Sequence, residues 1–323
     1  MKKEYVLGIE IGGTKLQIAL GTPDGKVQNV QRYKVIAQEG RQGIINRIIQ
    51  AIPEYLSSMS LTIDMVKAIG IGFGGPINNK TGHVIKSMQV AGWDDFTLKE
   101  FFEKRFSIPC FLFNDTDAAG YGEYSTGSGK NESPFFYTNI GSGIGGSLII
   151  DGAPYDGQGY GAAEIGHTRI PDWSNDTPDS DTELELLCSG WSIESRLQKP
   201  GYVPADSVMT DMCVSDTRRL DCRTLGEAVY RKDAFALLEL DKISNSFSIA
   251  LTNILCLFSP KTIAIGGGVS LIGEPFFERI RYHTKRREFI MNADTYEIVP
   301  CLLGETVVLN GVVLLSYKAL RQK

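Results

Sequence analysis

The sequence predicts a two-domain α/β protein in which one structural unit occurs twice. The chain has 323 residues, 42% of them hydrophobic, which is enough for two packed domains. Strand-like apolar segments alternate with segments of helical periodicity. The layout of strand, glycine-rich turn and strand occurs in YVLGIEIGGTKLQIALG and again in PFFYTNIGSGIGGSLIIDG. This repetition indicates an internal duplication of one α/β unit.

The first half begins with three predicted strands. YVLGIEI and LQIALGT flank the turn 12–15, and TPDGK is a second turn before VQNVQRYKV, which predicts an antiparallel meander. Apolar residues at helical spacing from Ile44 to Leu56 predict a helix. A buried strand, VKAIGIGF, a helix, LKEFFEKRF, and a further strand, PCFLFND, complete this half.

The second half repeats the hairpin and then departs from it. The polar segment PDWSNDTPDSDT, residues 171–182, predicts a surface loop. A long helix in AFALLELDKISNSFSIALTNILCLF, a strand in KTIAIGGG and a last helix in LNGVVLLSYKAL follow.

Composition excludes several classes of protein. The net charge of −5 argues against a partner such as nucleic acid, which needs a basic face. Glu4 and Glu10 interrupt any apolar signal-peptide core, and VVLNGVVLLSY is too short to span a membrane. The six cysteines form no C-x-x-C pair and are predicted to be reduced thiols. We therefore expect a cytoplasmic protein with neither a nucleic-acid nor a membrane partner.

The glycine-rich turn at 12–15 matches neither common phosphate-binding motif. A Walker A loop and a dinucleotide fingerprint both open a helix, whereas Lys15 precedes a strand. A hairpin turn can still bind an anion if its glycines adopt positive φ and successive N–H groups form a nest. A plain Gly-Gly hairpin without a ligand is equally consistent with the turn alone. Two further glycine clusters, at 141–146 and 266–268, favour a nucleotide held between two domains.

Two polar groups are candidates for chemistry. Asp115 ends the strand PCFLFND, where a carboxylate faces the cleft of an α/β fold. Alternatively, Asp115 caps the following helix, but Asp117 is equally suited to that task, which would leave Asp115 for catalysis. Glu164 and His167, in GAAEIGHTRI, form the second group, for which a structural hydrogen-bonded histidine is the alternative.

Together these segments resemble the ROK family, which groups bacterial sugar kinases, sugar-responsive repressors and related proteins. The resemblance spans nearly the whole chain and is carried by GIEIGGTK (8–15), GFGGP (72–76), FNDTDAAGYGE (113–123), IGSGIGGSLIIDG (140–152), GAAEIGHTRI (161–170) and KTIAIGGGVS (261–270). It implies two RNase-H-like domains of the actin and hexokinase type with an interdomain cleft. The N-terminal domain would cover 1–115, completed by a C-terminal helix at about 305–323, and the C-terminal domain would cover 116–304.

The resemblance also implies a reaction, ATP-dependent phosphorylation of a hexose or hexose derivative, with Asp115 as the general base. The implied sugar-binding residues are Gly75, Gln89, Asn114, Glu164, His167 and Glu185. The residues implied to face ATP are Glu10, Gly12, Gly13, Thr14, Lys15, Gly141, Ser142, Gly143, Gly145, Gly266, Gly267 and Gly268. Mg²⁺ would lie near Glu10, and the protein would form a homodimer.

The sequence departs from the family pattern at three places. Glu10 stands where an aspartate is more usual, and Gln89 replaces a sugar-contacting asparagine, which is expected to change sugar preference. The family's zinc cysteines correspond to Asp176, Pro178 and Glu183 here, so no structural zinc is expected.

The alternative function is a non-catalytic, sugar-binding regulator of the same family. Family repressors carry a helix-turn-helix module before the GGTK turn, whereas only eight residues precede Ile9 here, too few for such a module. The intact Asn114–Asp115 pair, together with Glu164, His167 and Glu185, favours the kinase.

Overall fold

The computed structural model describes residues 5–158, 161–213 and 216–322. Within these ranges the strands are β1 (Tyr5–Ile11), β2 (Lys15–Gly21), β3 (Val27–Lys34), β4 (Val66–Phe73), β5 (Ile77–Asn78), β6 (His83–Val84), β7 (Cys110–Asn114), β8 (Phe135–Ile140), β9 (Ile144–Ile150), β10 (Ala153–Pro154), β11 (Arg169–Pro171), β12 (Asp181–Glu183), β13 (Thr262–Gly266) and β14 (Glu297–Pro300). The helices are α1 (Gly40–Ser58), α2 (Leu98–Phe106), α3 (Asp115–Thr126), α4 (Leu184–Cys188), α5 (Gly190–Leu197), α6 (Val208–Met212), α7 (Cys222–Tyr230), α8 (Ala234–Phe258), α9 (Glu274–Lys285) and α10 (Val307–Arg321).

The first sheet has five strands in the order β3-β2-β1-β4-β7. Strands β1, β2 and β3 pair antiparallel, which confirms the predicted meander. Strand β4 lies parallel to β1, and β7 lies parallel to β4. Since parallel neighbours need a crossover connection, α1 and α2 occupy the two intervening stretches of chain.

The second sheet repeats this order with different strands. It runs β10-β9-β8-β13-β14, with β8, β13 and β14 parallel and β10 antiparallel to β9. An outer strand, a hairpin and two parallel strands thus follow one another as in the first sheet, although β10 is much shorter than β3. The predicted α/β class with a duplicated unit is confirmed.

The chain divides into two compact units. The first contains the described residues of 1–131, 147–162 and 303–323, and the second those of 132–146 and 163–302. The predicted domain limits at 115 and 304 stay a prediction, and Lys323 of the predicted C-terminal helix lies outside the described residues. No helix within the described ranges is long and apolar enough to cross a membrane.

In the first unit, helices cover both faces of the sheet. Leu7 and Ile9 of β1 belong to the large core that α1 and α2 complete. Val6, which directly precedes Leu7 and therefore faces the other side of the sheet, packs with Val313 of α10. Helix α10 also crosses α3 very closely, because a Cβ on Gly311 would lie 1.6 Å from the carbonyl oxygen of Ala118. This close crossing fixes the helix whose first residue is Asp115.

In the second unit, the predicted polar loop over 171–182 is shorter than expected. Strand β11 pairs antiparallel with β12, so the two ends of the segment form a hairpin and only 172–180 connect them. The Trp173 indole N–H in this connection donates to Ser246 Oγ of α8 at 2.8 Å. The pairing of β11 with β12 therefore orders the chain between Glu164 and Glu185.

Candidate active site

Asp115 is the first residue of α3 and directly follows β7. Its Oδ1 accepts hydrogen bonds from the Thr116 backbone N–H at 2.8 Å and from Thr116 Oγ1 at 3.3 Å. A Cβ on Gly74 would lie 3.1 Å from Oδ2, so the missing side chain at 74 leaves room beside this oxygen. Burial, followed by the negative charge of Glu10, raises the pKa of Asp115 to about 7. A carboxyl group that titrates near neutrality is suited to accept a proton.

Asn114, not an aspartate, caps helix α3. Its Oδ1 accepts from the backbone N–H groups of Thr116 at 2.8 Å and Asp117 at 3.1 Å. The prediction that Asp117 caps the helix is therefore wrong, although Asp115 is released from that task all the same. Asn114 Nδ2 donates to the carbonyl oxygen of Gly75 at 3.3 Å. Gly75 has φ of 145°, a conformation that requires glycine.

Glu10 is a buried carboxylate on β1, 5% exposed. Lys15 Nζ lies 3.0 Å from its Oε1, and Gln17 Nε2 donates to its Oε2 at 3.0 Å. Burial raises the pKa of Glu10, and the neighbouring Lys15 charge opposes that rise. Lys15, predicted to face ATP, is thus directed to Glu10 in this structure.

The turn between β1 and β2 is a tight hairpin. The Gly12 N–H donates to the Lys15 carbonyl oxygen at 3.0 Å. Neither Gly12 nor Gly13 has positive φ, so the predicted left-handed nest is wrong at this turn. A Cβ at position 13 would lie 1.4 Å from Gln89 Oε1, so the Gln89 side chain would have to move for any larger residue. The structure therefore brings the predicted sugar residue Gln89 onto the predicted nucleotide turn, of which Thr14 is exposed.

The second glycine turn, between β8 and β9, is braced by Glu185. Glu185 Oε2 accepts from the Ile144 N–H at 2.6 Å, and a Cβ on Gly143 would lie 2.5 Å from the same oxygen. The Gly141 N–H donates to the Gly143 carbonyl oxygen at 2.9 Å. The Gly145 N–H donates to Asn139 Oδ1 at 2.9 Å. Positive φ is absent from these three glycines as well, so close approach of a carboxylate explains the turn better than a nest does.

The third glycine cluster closes β13 at Gly266. Gly267 has φ of 86°, and a Cβ there would lie 2.5 Å from the Ile140 backbone. A Cβ on Gly268 would meet nothing within 4 Å. Ser142, in the neighbouring turn, is exposed. The expectation of positive φ holds in this cluster alone among the three, at Gly267.

Glu164 and His167 flank a short 3₁₀ turn, Ile165–His167. The Nδ1 of His167 lies 2.8 Å from Glu183 Oε2, and this hydrogen bond raises the pKa of the imidazole. Desolvation raises the pKa of Glu164, and the charge of Glu185 acts in the same direction. Three carboxylates thus surround one imidazole in the second unit.

Glu10, a buried carboxylate of the first unit, fits a magnesium ion that arrives with a nucleotide. Mg²⁺ is usually held by one or two carboxylates together with substrate phosphates. Burial raises the pKa of Glu10, and the charge of a divalent cation would favour its ionised form. In the part of the chain that the structure describes, no cluster of three or more His, Cys, Asp or Glu side chains could hold a metal ion by itself.

The chain matches a known protein family over nearly its whole length. The model of the ROK family matches residues 6–318. The chain belongs to the ROK family. Among its ROK relatives, the glucokinase of Thermotoga maritima is 28% identical over 308 residues, covering 94% of this chain and 95% of the glucokinase.

Two further proteins show the range of the resemblance. The xylose repressor of Caldicellulosiruptor bescii is 24% identical, over 95% of this chain but 77% of the repressor. The crystal structure of a ROK glucokinase from Streptomyces griseus, in complex with glucose and AMPPNP, superposes with a TM-score of 0.83 at 24% identity, covering 97% of this chain and 99% of that one. This agreement confirms the predicted ROK fold.

Four residues with a place in this site were not predicted. Thr116 orients Asp115, Gly74 makes room beside it, Gln17 holds Glu10, and Glu183 holds His167. Gly74 and Thr116 had a signal in the sequence, because they belong to the GFGGP and FNDTDAAGYGE segments, and Glu183 stands at a position of the family's zinc cysteines. Gln17 had none, because its contact with Glu10 depends on the pairing of β1 and β2, which single residues do not reveal.

Proposed function

We propose that this protein transfers a phosphoryl group from ATP to a hydroxyl of a hexose or hexose derivative, with Asp115 as the general base. The observation that carries this proposal is the placement of Asp115 at the junction of β7 and α3, where the Thr116 N–H donates to its carboxylate. The raised pKa of this buried carboxyl agrees with the role of a base. Membership of the ROK family and the glucokinase relatives support it.

Phosphoryl transfer leaves the protein mainly positioning and electrostatic work. Asp115 would accept the proton of the attacking hydroxyl, and its tie to Thr116 holds the carboxylate in one direction. Asn114 caps α3 at the same junction, so its side chain is held in place. In this proposal, Asn114 would contact the sugar from that fixed position. In this proposal, Gly75 and Gln89 also contact the sugar.

In the second unit, we assign Glu164, His167 and Glu185 to the sugar. Carboxylates and an imidazole are suited to this because each sugar hydroxyl needs a donor or acceptor when it leaves water. The residues proposed to bind the nucleotide are Gly12, Gly13, Thr14, Lys15, Gly141, Ser142, Gly143, Gly145, Gly266, Gly267 and Gly268. Glu10 would hold Mg²⁺, which neutralises charge on the phosphates when it is bound.

Three companion proposals describe the setting of the enzyme. The protein works in the cytoplasm, it forms a homodimer, and it needs no zinc. Sedimentation at assay concentration that yields a monomer would remove the dimer from this set.

The test is ADP release with Mg²⁺-ATP against glucose, fructose, mannose, N-acetylated hexosamines and allose, with and without a zinc-selective chelator. We expect turnover on at least one sugar, unchanged by the chelator. Turnover that the chelator abolishes would overturn the zinc-free proposal while it leaves the kinase in place.

The second candidate is a sugar sensor without turnover, and the 24% identity to a xylose repressor is the observation that favours it. It predicts no ADP release with any sugar, together with a sugar-induced rise in melting temperature. Absence of both effects would refute the two candidates alike.

A further inference from the structure

We infer that Glu183 is a positioning residue whose carboxylate fixes the tautomer and the direction of the His167 ring. His167 would then present one defined nitrogen, Nε2, to a sugar hydroxyl. This inference rests on the proposed sugar-kinase function, because it states how one of the assigned sugar residues is held.

The local backbone brings the two side chains together. His167 ends the 3₁₀ turn before β11, and Glu183 is the last residue of β12. In the antiparallel ladder, Arg169 pairs with Glu183, and the Leu184 N–H donates to the Thr168 carbonyl oxygen at 3.0 Å. The resulting register leaves Nδ1 of His167 2.8 Å from Glu183 Oε2.

An ionised carboxylate can only accept a hydrogen bond, so the proton of the ring is placed on Nδ1. In the neutral ring Nε2 then carries the lone pair and accepts from a hydroxyl. Without the carboxylate, the ring can turn over and exchange its two nitrogens, and part of the population meets the sugar with the wrong one.

Stability does not account for the pair. The side chains of His167 and Glu183 are 61% and 36% exposed. Exposed pairs of this kind contribute about 0–1 kcal/mol to folding. The contact with Glu183 therefore orients the exposed His167 ring and adds little to folding stability.

The surroundings of the ring supply a matched control. Arg169 and Asp181 form a second ion pair on the same hairpin, one that does not involve His167. Asp181→Asn removes a charged pair from the hairpin and leaves the His167–Glu183 contact in place. The carboxylates of Glu164 and Glu185, which also favour the protonated ring, are unchanged in every variant of this set.

The first measurement is steady-state kinetics at pH 8 with saturating Mg²⁺-ATP and glucose as the sugar probe. We expect Glu183→Ala to raise the glucose KM about 10-fold with kcat within about 2-fold, since one charge-assisted contact supports the ring. Glu183→Gln keeps an acceptor for Nδ1–H, so its KM should rise less. Asp181→Asn should match the wild type.

The double variant Glu183→Ala with His167→Ala separates indirect from direct action. If Glu183 acts only through His167, the double variant equals His167→Ala within about 2-fold, because the two losses are not additive. If the glucose KM of the double variant instead rises by the product of the two single effects, the inference is overturned, and Glu183 has its own contact with the sugar.

The second measurement does not depend on activity. The chain has three histidines, so ¹⁵N spectra of the imidazoles at pH 8 can be assigned by substitution. We expect His167 to be the Nδ1–H tautomer in the wild type and to lose that preference in Glu183→Ala. An unchanged tautomer overturns the inference even if the wild type is an active kinase. The expected change of tautomer supports the inference even if glucose is not phosphorylated. The experiment therefore distinguishes failure of the inference from failure of the proposed kinase function.

Discussion

Replacement of Asp115 by asparagine removes the proposed base while it keeps the local structure. The asparagine Oδ1 can still accept from Thr116, which is the contact that orients the carboxylate now. A general base contributes typically 10²- to 10⁴-fold to the rate. We therefore expect Asp115→Asn to lose at least ~100-fold in kcat while sugar and ATP binding persist.

The same substitution should stabilise the protein at alkaline pH. The folded-state pKa of Asp115 is about 7, compared with 3.8 for an ordinary aspartate, a difference of about 3. Each step of one in pKa corresponds to about 1.4 kcal/mol, which makes the cost of the ionised side chain at most about 4 kcal/mol. The partly exposed position of the carboxyl lowers this figure, since water screens its charge.

The sign follows from proton linkage. Because the pKa is raised on folding, the stability that the protonated carboxyl allows is fully present below pH about 4 and is lost as the pH rises through 7. Asparagine does not ionise, so Asp115→Asn should melt several degrees above the wild type at pH 8. Near pH 4 this advantage should have nearly vanished.

The assay combines ADP release at saturating sugar with thermal melts of the ligand-free protein from pH 4 to pH 8. Asp206→Asn, at an exposed aspartate outside the assigned site, is the control and should change neither quantity. Near-normal turnover of Asp115→Asn would mean that another group is the base. A stability gain that is absent at pH 8, or larger at pH 4, would refute the argument from burial and Glu10.

Two further predictions test the packing around this carboxylate. Gly74→Ala places a Cβ 3.1 Å from Asp115 Oδ2, so we expect the carboxylate to shift by a few tenths of an ångström and kcat to fall roughly 10-fold. The melting temperature should stay within a few degrees of the wild type, and an unchanged kcat would contradict the prediction. Gly311→Ala would place a Cβ 1.6 Å from the Ala118 carbonyl oxygen, so α3 and α10 must separate and the free energy of unfolding should fall by about 3 kcal/mol. Gly268→Ala is the control, because its Cβ meets nothing within 4 Å. Equal melting temperatures for the two variants would refute the close crossing.

Periodicity in the sequence was enough for the eight described strands of five or more residues and for helices α1, α2, α8 and α10. The apolar positions from Ile44 to Leu56 lie inside α1, and the long apolar segment of the second half is α8. Helix α9 was not predicted, because its many charged residues obscure the apolar positions Phe276, Phe277 and Ile280. A proline in its first turn was the available signal.

For the candidate site, the sequence predicted Asp115 and the glycine turns, but the geometry of two of the turns differs from the predicted one. Positive φ is a local property, and it is present at Gly267 but not at Gly13 or Gly143. At these two positions distant side chains, Gln89 and Glu185, lie where a Cβ would stand. Close approach of residues far apart in sequence cannot be seen in the local pattern.

The sequence by itself thus determined the α/β class, the duplicated order of strands and the family, since each depends on apolar periodicity and short ordered motifs. The tertiary structure alone decided the electrostatic state of the site. The raised pKa of Asp115 depends on its burial and on Glu10, and the contact between His167 and Glu183 depends on the register of β11 and β12. Burial and register bring distant residues within a few ångströms of each other, and charges interact through that distance rather than through the sequence.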